Sequence, residues 1–295
     1  MNCCGEKKNN ILAGIITYNP DIRRLDLNLQ FISKQVERVL IVDNGSKNIN
    51  DITALKKYDN LKIICNKENK GIAAALNQIG DVALSNGDEF FVTFDQDSIA
   101  DSNLVQELLS AFESDRTGMT CPYIDRKHDF VADNRKKKVK TAITSGSMVK
   151  TSVWKEIGGF WEYLFIDEVD HEFCYQIYKK GYTIVQTNSV SIDHIIGQPF
   201  SKTILGHHFT PTNHSAFRRY YIARNDLIIQ HLYPNEKEPF EHRYIMLFRT
   251  GVSIIFCEKQ KTKKILAMIN GIKDAIIWNC KNKEIDERRS VSDRS

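Results

Sequence analysis

The sequence predicts an α/β fold: a doubly wound, mainly parallel, Rossmann-like sheet followed by a C-terminal helical extension. Two observations carry this prediction. Four short apolar runs in the first hundred residues alternate with segments of helical spacing, which is the pattern of repeated β-α units. From about residue 212 only helical patterns remain. We therefore expect an α/β domain over residues 1–210 and a helical region over residues 211–295.

The first predicted strand is a continuous apolar run, as expected for a strand buried on both faces, and the next three are short, mostly apolar runs that also stop at polar residues. Between the strands, apolar residues recur at helical spacing, for example at Leu25, Leu29 and Ile32. The predicted strands cover residues 11–17, 38–42, 61–65 and 89–94, and the intervening helices cover 25–36, 52–58 and 72–78.

The pattern is less regular after Asp97, and the segment that runs to Lys138 is interpreted as a charged loop. Gly146 interrupts an apolar run, which often marks close approach of a ligand or of another backbone. The remaining predicted strands cover residues 119–123, 142–149 and 182–187, and the remaining helices cover 103–113, 154–159, 169–180, 215–232, 239–256 and 263–280.

Composition excludes several classes of protein. The hydrophobic fraction of 42% and the charged fraction of 26% are ordinary for a globular chain, and a net charge of +4 gives no nucleic-acid signature. Seven cysteines without a CxxC pair indicate reduced thiols rather than a disulfide framework or a zinc site. Neither a secretory signal nor an apolar run of about 18 residues is visible, so we expect a cytoplasmic protein.

Polar residues follow all four predicted strands. The carboxyl ends of parallel strands lie at one edge of a sheet, where ligands bind in open α/β folds. No glycine-rich phosphate loop is present, so Asp95 and Asp97 are predicted to hold a cation on the phosphates of a nucleotide. Alternatively, Asp97 or Ser98 caps the next helix. The polar residues are Thr17, Tyr18, Asn19, Asp43, Asn44, Asn66, Asp95, Gln96 and Asp97.

Acids crowd the start of the helix predicted over residues 169–180. Asp170 is best placed for general-base chemistry, which needs a partly buried carboxylate near its target proton. Glu168 and Glu172 are explained equally well by the favourable field at a helix N-terminus.

Two further segments carry candidate ligands. His194 follows a strand and precedes Gly197, so it is either a metal ligand or a structural histidine. Tyr221 and Arg224 share one face of a predicted helix with Arg218 one turn earlier. Arginines there would clamp a diphosphate, unless this is simply a surface helix.

These motifs together resemble inverting glycosyltransferase family 2, which has the GT-A fold, and most closely its bacterial rhamnosyltransferase members. The resemblance covers residues 11–229. The residues that carry it are TYN at 17–19, VDNGS at 42–46, DQD at 95–97, GGF at 158–160, FIDEVDHE at 165–172, HIIG at 194–197 and RRYYIARN at 218–225.

The resemblance implies roles in donor binding. Ser145 and Gly146 would form the floor under the donor sugar. Asp95, Asp97 and His194 would hold a divalent cation, Mg2+ or Mn2+, on the diphosphate. The nucleoside and its surroundings would be bound by Thr17, Tyr18, Asn19, Asp43, Asn44, Asn69, Lys70, Gly71, Asp95 and Gln96.

The resemblance also implies that Asp170 is the catalytic base. Arg218, Tyr221 and Arg224 would close over the phosphates. We place Trp161, Glu168 and His171 on the acceptor side.

Two positions depart from the family pattern. Val169 stands where the first acid of a Glu-Asp pair is usual, as in the rhamnosyl-like branch. Gln176 stands where an arginine is common, so one ion pair of the family is not expected here.

The implied activity is transfer of a sugar, most closely L-rhamnose from dTDP-β-L-rhamnose, onto a hydroxyl of a bacterial surface glycan such as a lipid-linked cell-wall or O-antigen precursor. The alternatives are galactosyl or glucosyl transfer from a UDP-sugar and a non-catalytic binding module. A pyrophosphorylase is disfavoured because Tyr18-Asn19-Pro20 replaces the glycine-rich loop such enzymes need.

The C-terminal helices suit either a peripheral contact with the inner face of the cell membrane or ordinary helix packing, including a homodimer contact. Phe248, Ile254, Ile255 and Phe256 precede the lysine-rich segment 259–264. Aromatic and aliphatic residues beside lysines are typical of helices that lie on membranes.

Overall fold

The computed structural model describes residues 10–55, 57–125, 130–193, 202–204, 207–209, 212–236 and 240–281. Four parallel strands form one half of its main sheet, in the order β3-β2-β1-β4. Their registers place Thr17 opposite Asp43, and Ile16 opposite Asp95, so the polar strand ends meet at one edge as predicted. These strands are β1 (Ile11–Thr17), β2 (Arg38–Asp43), β3 (Leu61–Cys65) and β4 (Phe90–Asp95).

The other half of the sheet is mixed. β8 pairs antiparallel with both β4 and β6, β9 runs parallel to β6, and β5 and β7 pair antiparallel with β9. Their bounds are β5 (Ile99–Ala100), β6 (Thr117–Ile124), β7 (Lys136–Lys138), β8 (Ser147–Lys150) and β9 (Thr183–Asp193), and a hairpin of β10 (Lys202–Ile204) and β11 (His207–Phe209) stands apart from the sheet.

Two predictions for this half are wrong. The segment ending at Lys138 contains β7, whose three lysines are held by main-chain pairing with β9 and give no apolar alternation to detect. The strand predicted over residues 142–149 begins only at Ser147, because Ser145 and Gly146 form a tight turn against β4.

Helices cover both faces of the sheet, which confirms the doubly wound architecture. Alternate residues of β1 point to opposite sides: Leu12 packs with Trp154 and Phe173, whereas Ile15 packs with Leu29. The helices of this part are α1 (Ile22–Ile32), α2 (Ile49–Thr53), α3 (Ile72–Asn86), α4 (Leu104–Ser110), α5 (Thr151–Ile157) and α6 (Val169–Lys179), with a 3-10 turn over Glu162–Leu164.

The helix-cap alternative for Asp97 and Ser98 is wrong. The helix that follows β4 begins at Leu104, with Asn103 at its N-cap position. Asp97 lies instead in a turn between β4 and β5.

Three helices form the C-terminal region: α7 (Ala216–Leu232), α8 (Phe240–Cys257) and α9 (Lys261–Lys281). α7 and α9 pack so closely that Gly271 lies directly against the main-chain carbonyl of Tyr220, where a larger residue would clash. Among the described helices, none combines the length and apolar character needed to cross a membrane. The domain boundary near residue 210 stays a prediction.

Candidate active site

Asp43 organises the loop after β2. Its Oδ1 accepts a hydrogen bond from the Thr17 hydroxyl (2.9 Å) and one from the Ser46 hydroxyl, and its Oδ2 accepts from the backbone N–H groups of Gly45 (3.1 Å) and Ser46 (2.9 Å). Protein donors therefore fill the roughly four acceptor positions of a carboxylate, and the residue is buried. The contact of Asp43 with a nucleoside stays a prediction. To form it, Asp43 must replace one of these four hydrogen bonds by one from the nucleoside.

Amide side chains tie the second and third strand ends to the start of α3. Asn44 Nδ2 donates to the Gly71 carbonyl (2.9 Å), and Asn66 Nδ2 donates to Asn44 Oδ1 (3.0 Å). Asn69 Oδ1 in turn accepts from the Gly71 N–H (2.9 Å). Lys70 is exposed beside them. The structure thus brings Asn44, Asn69, Lys70 and Gly71 together, as the sequence predicts.

The first strand end is linked to the fourth. The Tyr18 N–H donates to Gln96 Oε1 at 2.7 Å. Asn19 adopts a left-handed conformation (φ 50°), and its Oδ1 accepts from the Lys47 N–H (2.9 Å). Asparagine tolerates this conformation better than most residues, so the loop after β1 is locked against the loop after β2.

The end of β4 presents two partly exposed carboxylates, Asp95 and Asp97. The Asp95 N–H donates to the Ser145 hydroxyl (3.0 Å), which also shares a hydrogen bond with the Ser98 hydroxyl (2.7 Å). The Gly146 N–H donates to the Thr93 carbonyl (2.7 Å). The structure therefore places the predicted floor residues directly beside the predicted metal ligands.

Asp95 and Asp97 suit a hard divalent cation. Mg2+ in nucleotide enzymes is typically held by one or two carboxylates together with substrate phosphates, rather than by an all-protein cage. No group of three or more His, Cys, Asp or Glu residues that could hold a metal occurs among the described residues. His194 lies outside the described residues, so its metal contact stays a prediction.

A strained turn lies between the 3-10 turn and α6. Phe165 (φ 63°, ψ −61°) is the centre of a γ-turn closed by the hydrogen bond from the Ile166 N–H to the Leu164 carbonyl (2.7 Å). Asp167 and Glu168 follow with φ values of 62° and 66°. Such conformations cost about 1–3 kcal/mol each in non-glycine residues and concentrate at functional sites.

Two neighbouring side chains of α7 hold this turn. Asn225 Nδ2 donates to the carbonyls of Leu164 (2.8 Å), Ile166 (2.8 Å) and Asp167 (3.0 Å). Arg224 Nε donates to Asn225 Oδ1 (2.8 Å), which orients the amide so that its NH2 group faces the turn. Both side chains are buried.

The structure therefore gives Arg224 a different place from the one predicted. Its Nη2 donates to the Tyr163 carbonyl (2.6 Å), and its guanidinium carbon lies 4.5 Å from the Tyr163 ring centroid and 4.7 Å from that of Tyr221. A buried guanidinium committed to main-chain carbonyls is not free to close over a diphosphate. Tyr221 likewise stacks on the turn, with its ring 5.0 Å from that of Phe165.

Arg218 is the arginine of α7 that pairs with Asp167. Its Nε and Nη2 form a two-bond pair with the Asp167 carboxylate (3.1 and 2.9 Å). Hydrogen bonding to Asp167, together with the charges of Asp167 and Asp95, raises the pKa of Arg218. Phosphate binding by Arg218 stays a prediction.

Asp170 is the second residue of α6 and is partly buried. Burial raises the pKa of its carboxyl group, the positive charge of His171 opposes this rise, and the negative charge of Glu168 adds to it. The His171 N–H donates to Asp170 Oδ1 (2.9 Å), and His171 Nδ1 lies 3.2 Å from Glu168 Oε2. A carboxylate with a raised pKa is a stronger base at neutral pH.

Glu172, also among the crowded acids, is buried and bound within the fold. Gln176 Nε2 (3.1 Å) and the Tyr233 hydroxyl (3.0 Å) donate to its Oε1, and Gln176 also donates to the Tyr233 hydroxyl (2.6 Å). The glutamine that departs from the family pattern therefore has a defined structural role in this chain.

Trp161, which is predicted to lie on the acceptor side, is part of an aromatic cluster that the sequence does not signal. Its ring centroid lies 5.6 Å from that of Tyr163 and 5.7 Å from that of Trp278, which belongs to α9. Tyr163 and Trp278 come together only through the docking of α9 on α7. Asn225 was recognised as part of a motif, but no sequence signal pointed to its contact with the turn.

Substitution of Glu168 by Gln is expected to shift the acid limb of the pH–rate profile to lower pH. The change removes a negative charge that raises the pKa of Asp170, so the carboxylate stays deprotonated to lower pH. His171→Gln removes a charge that lowers this pKa and is expected to shift the limb upward. The measurement is kcat against pH for both variants, and shifts in the same direction would contradict this electrostatic arrangement.

Gly71→Ala is expected to destabilise the fold by about 3 kcal/mol or more, because a glycine-only conformation and a clash coincide there. Gly71 has φ 89° and ψ 164°, and an added Cβ would lie 2.7 Å from the Phe165 carbonyl oxygen. Gly87→Ala is the control: φ is 72°, but no atom lies within 4 Å, so only about 1–2 kcal/mol is expected. The measurement is the free energy of unfolding of both variants in urea. Equal losses of stability would show that the contact between Gly71 and the turn at Phe165 is unimportant.

The site and the fold together define a class of protein. Residues 13–181 match the family described as Glycosyl transferase family 2. The chain belongs to this family and is a glycosyltransferase. Over 240 residues it is 30% identical to the dTDP-rhamnosyl transferase RfbF of Shigella flexneri, across 75% of this chain and 80% of that protein.

Solved structures agree on the fold. GalNAc-T7, crystallised with UDP, GalNAc and Mn2+, superposes with a TM-score of 0.59 at 12% identity over 95% of this chain, which spans 59% of the length of that chain. Residues 1–349 of TarS from S. aureus give a TM-score of 0.57 at 15% identity, over 90% of this chain and 81% of that one. These likenesses confirm the predicted GT-A fold.

Proposed function

We propose that the protein transfers L-rhamnose from dTDP-β-L-rhamnose to a hydroxyl group of a glycan, with inversion at the anomeric carbon. The single observation that carries the choice of sugar is the 30% identity to a dTDP-rhamnosyl transferase over three quarters of the chain. The UDP complexes among the structural relatives share only the fold, so they carry less weight for the donor.

In the proposed reaction Asp170 removes the proton from the acceptor hydroxyl. The acceptor oxygen forms a bond to the anomeric carbon while the bond from that carbon to the donor phosphate oxygen breaks, and dTDP leaves with the electron pair. A base on the face opposite the leaving group suffices, so no covalent intermediate is needed. The strained turn before α6, the burial of Asp170 and its raised pKa support this role.

Asp95 and Asp97 are the residues that would hold a divalent cation on the donor. The cation, when bound, would offset negative charge on the departing diphosphate. Arg218, placed near Asp95 and paired with Asp167, would support the same phosphates. Arg224 and Asn225 are assigned as positioning residues that hold the turn, rather than as donor ligands.

We expect dTDP-rhamnose to bind only weakly without Mn2+ or Mg2+, and Asp97→Asn to remove the metal dependence. The test is calorimetric titration of dTDP-rhamnose, UDP-glucose and UDP-galactose with and without metal, alongside slow donor hydrolysis. Asp115→Asn, at an exposed position in the turn before β6, is the matched control. Preference for a UDP-hexose would replace the rhamnosyl assignment, whereas binding without any hydrolysis or transfer would favour a non-catalytic module.

The acceptor side is proposed to lie along the aromatic cluster of Trp161, Tyr163 and Trp278. Planar rings suit the apolar face of a sugar ring, and Tyr163 is 43% exposed. Glu168 and His171 flank Asp170 on the same turn of α6 and stay candidates for acceptor hydroxyl groups. We further propose that this acceptor is a glycan carried on a lipid.

A further inference from the structure

The outer face of α9 is apolar although its inner face is already used for packing. Met268, Gly271 and Ala275 are buried. Gly271 lies against the main chain of α7, and Met268 and Ala275 belong to a hydrophobic cluster that includes residues of α7. On the opposite side of the helix, four large aliphatic side chains are 42–55% exposed. They are Leu266, Ile269, Ile276 and Ile277.

α8 repeats this arrangement. Leu247, Gly251 and Ile254 are buried, so Ile254 follows the helix-packing alternative rather than the membrane-contact one. Four large side chains on the outward side of α8 are again apolar, and Phe248 is 73% exposed. The others are Ile245, Ile255 and Phe256. Single exposed hydrophobic residues are normal on a protein surface, whereas several on one helix face mark an interaction site.

Within residues 244–281 of this hairpin, the exposed charged side chains are all cationic. Between residues 244 and 281, Glu258 is buried with Arg219 and Lys264, and Asp274 accepts a hydrogen bond from the Tyr220 hydroxyl (2.7 Å). Lys264 is therefore buried, although it is part of the lysine-rich segment 259–264. The exposed charged side chains of this segment are Arg249, Lys259, Lys261, Lys263, Lys273 and Lys281.

We infer that the α8–α9 hairpin docks on an anionic lipid surface. Such helices insert their exposed apolar side chains at the boundary between lipid headgroups and acyl chains. Their flanking lysines bind the anionic headgroups. A second copy of this chain fits the face less well, because a symmetric contact would bring the same cations of both chains together.

The test is co-sedimentation of the full chain with vesicles of phosphatidylcholine alone and of phosphatidylcholine mixed with phosphatidylglycerol. Binding is expected only to the mixed vesicles. Since each cation near such a surface contributes about fivefold, Lys259→Gln, Lys261→Gln and Lys263→Gln combined should weaken binding about 100-fold. Phe248→Ser combined with Ile269→Ser should also release the protein.

Matched controls change the same residue types elsewhere. Lys34→Gln, Lys155→Gln and Lys180→Gln alter exposed lysines of the α/β part, and Phe31→Ser with Leu84→Ser alters exposed apolar residues of α1 and α3. Both control sets should bind mixed vesicles as the unchanged protein does. The inference would be overturned if the protein did not bind the mixed vesicles, or if the hairpin substitutions left binding unchanged. It would also be overturned if the protein did not bind vesicles but formed a dimer in solution that Phe248→Ser disrupted.

Discussion

Asp170→Asn is expected to lower kcat by about 10²–10⁴-fold, the usual contribution of a general base. Asparagine keeps the shape of the side chain and retains an oxygen for the His171 N–H that now donates to Asp170 Oδ1. Donor affinity should therefore change little, because no donor contact is assigned to this carboxylate. The measurement is kcat for transfer together with the dissociation constant of the nucleotide sugar in the presence of metal.

Asp115→Asn is the matched control for the Asp170 variant, because Asp115 is exposed in the turn before β6 and is not among the predicted site residues. It should leave both constants unchanged. Transfer by the Asp170 variant at close to the unchanged rate would exclude Asp170 as the base. A parallel loss of donor affinity and kcat would point instead to a role for Asp170 in holding the donor.

Asn225→Asp is expected to destabilise the fold by about 3 kcal/mol, because it replaces a buried NH2 donor by a carboxylate oxygen that faces three carbonyl oxygens, and Arg224 offsets the new charge only from the other oxygen. The surviving folded protein should lose kcat as well. The γ-turn at Phe165 would relax, and displacement of a catalytic group by about 1 Å costs on the order of 10²-fold in rate. Urea unfolding and steady-state kinetics well below the unfolding midpoint separate the two effects.

Asn50→Asp makes the same change at an exposed position of α2 and should cost little stability. The kinetic comparison distinguishes positioning from simple stability. A variant at position 225 that is destabilised yet transfers sugar at the normal rate would show that the turn does not depend on α7 for its catalytic geometry.

Much of the fold followed from local patterns. The strands β1, β2 and β4 are largely apolar runs that end in polar residues, and β3 is a shorter run that includes Lys62. The helices α1, α6, α7 and α9 were predicted within a few residues, because apolar periodicity and terminal signals such as Ser215 and Gly181 agree there. β5 and β7 were not predicted, since they are short strands defined by main-chain pairing with β9.

The candidate site divides in the same way. Residues that follow directly on strands, such as Asn44, Gln96 and Asp95, lie together because strand direction and register bring them to one edge. The roles of α7 were less predictable. Arg218 and Arg224 both looked suited to a diphosphate, but the two side chains project at different angles around the helix, and only Arg218 reaches Asp167 near Asp95.

The sequence by itself determined the α/β framework, the polar strand ends and Asp170 as the candidate base, because each depends on periodicity or on a motif within a short stretch of chain. Only the tertiary structure decided that Arg224 and Asn225 hold the strained turn and that the α8–α9 hairpin exposes an apolar, cationic face. The physical reason is that burial and hydrogen-bond partners depend on which face of a helix meets its neighbours. For α7, α8 and α9 that choice is made by contacts between segments far apart in the chain.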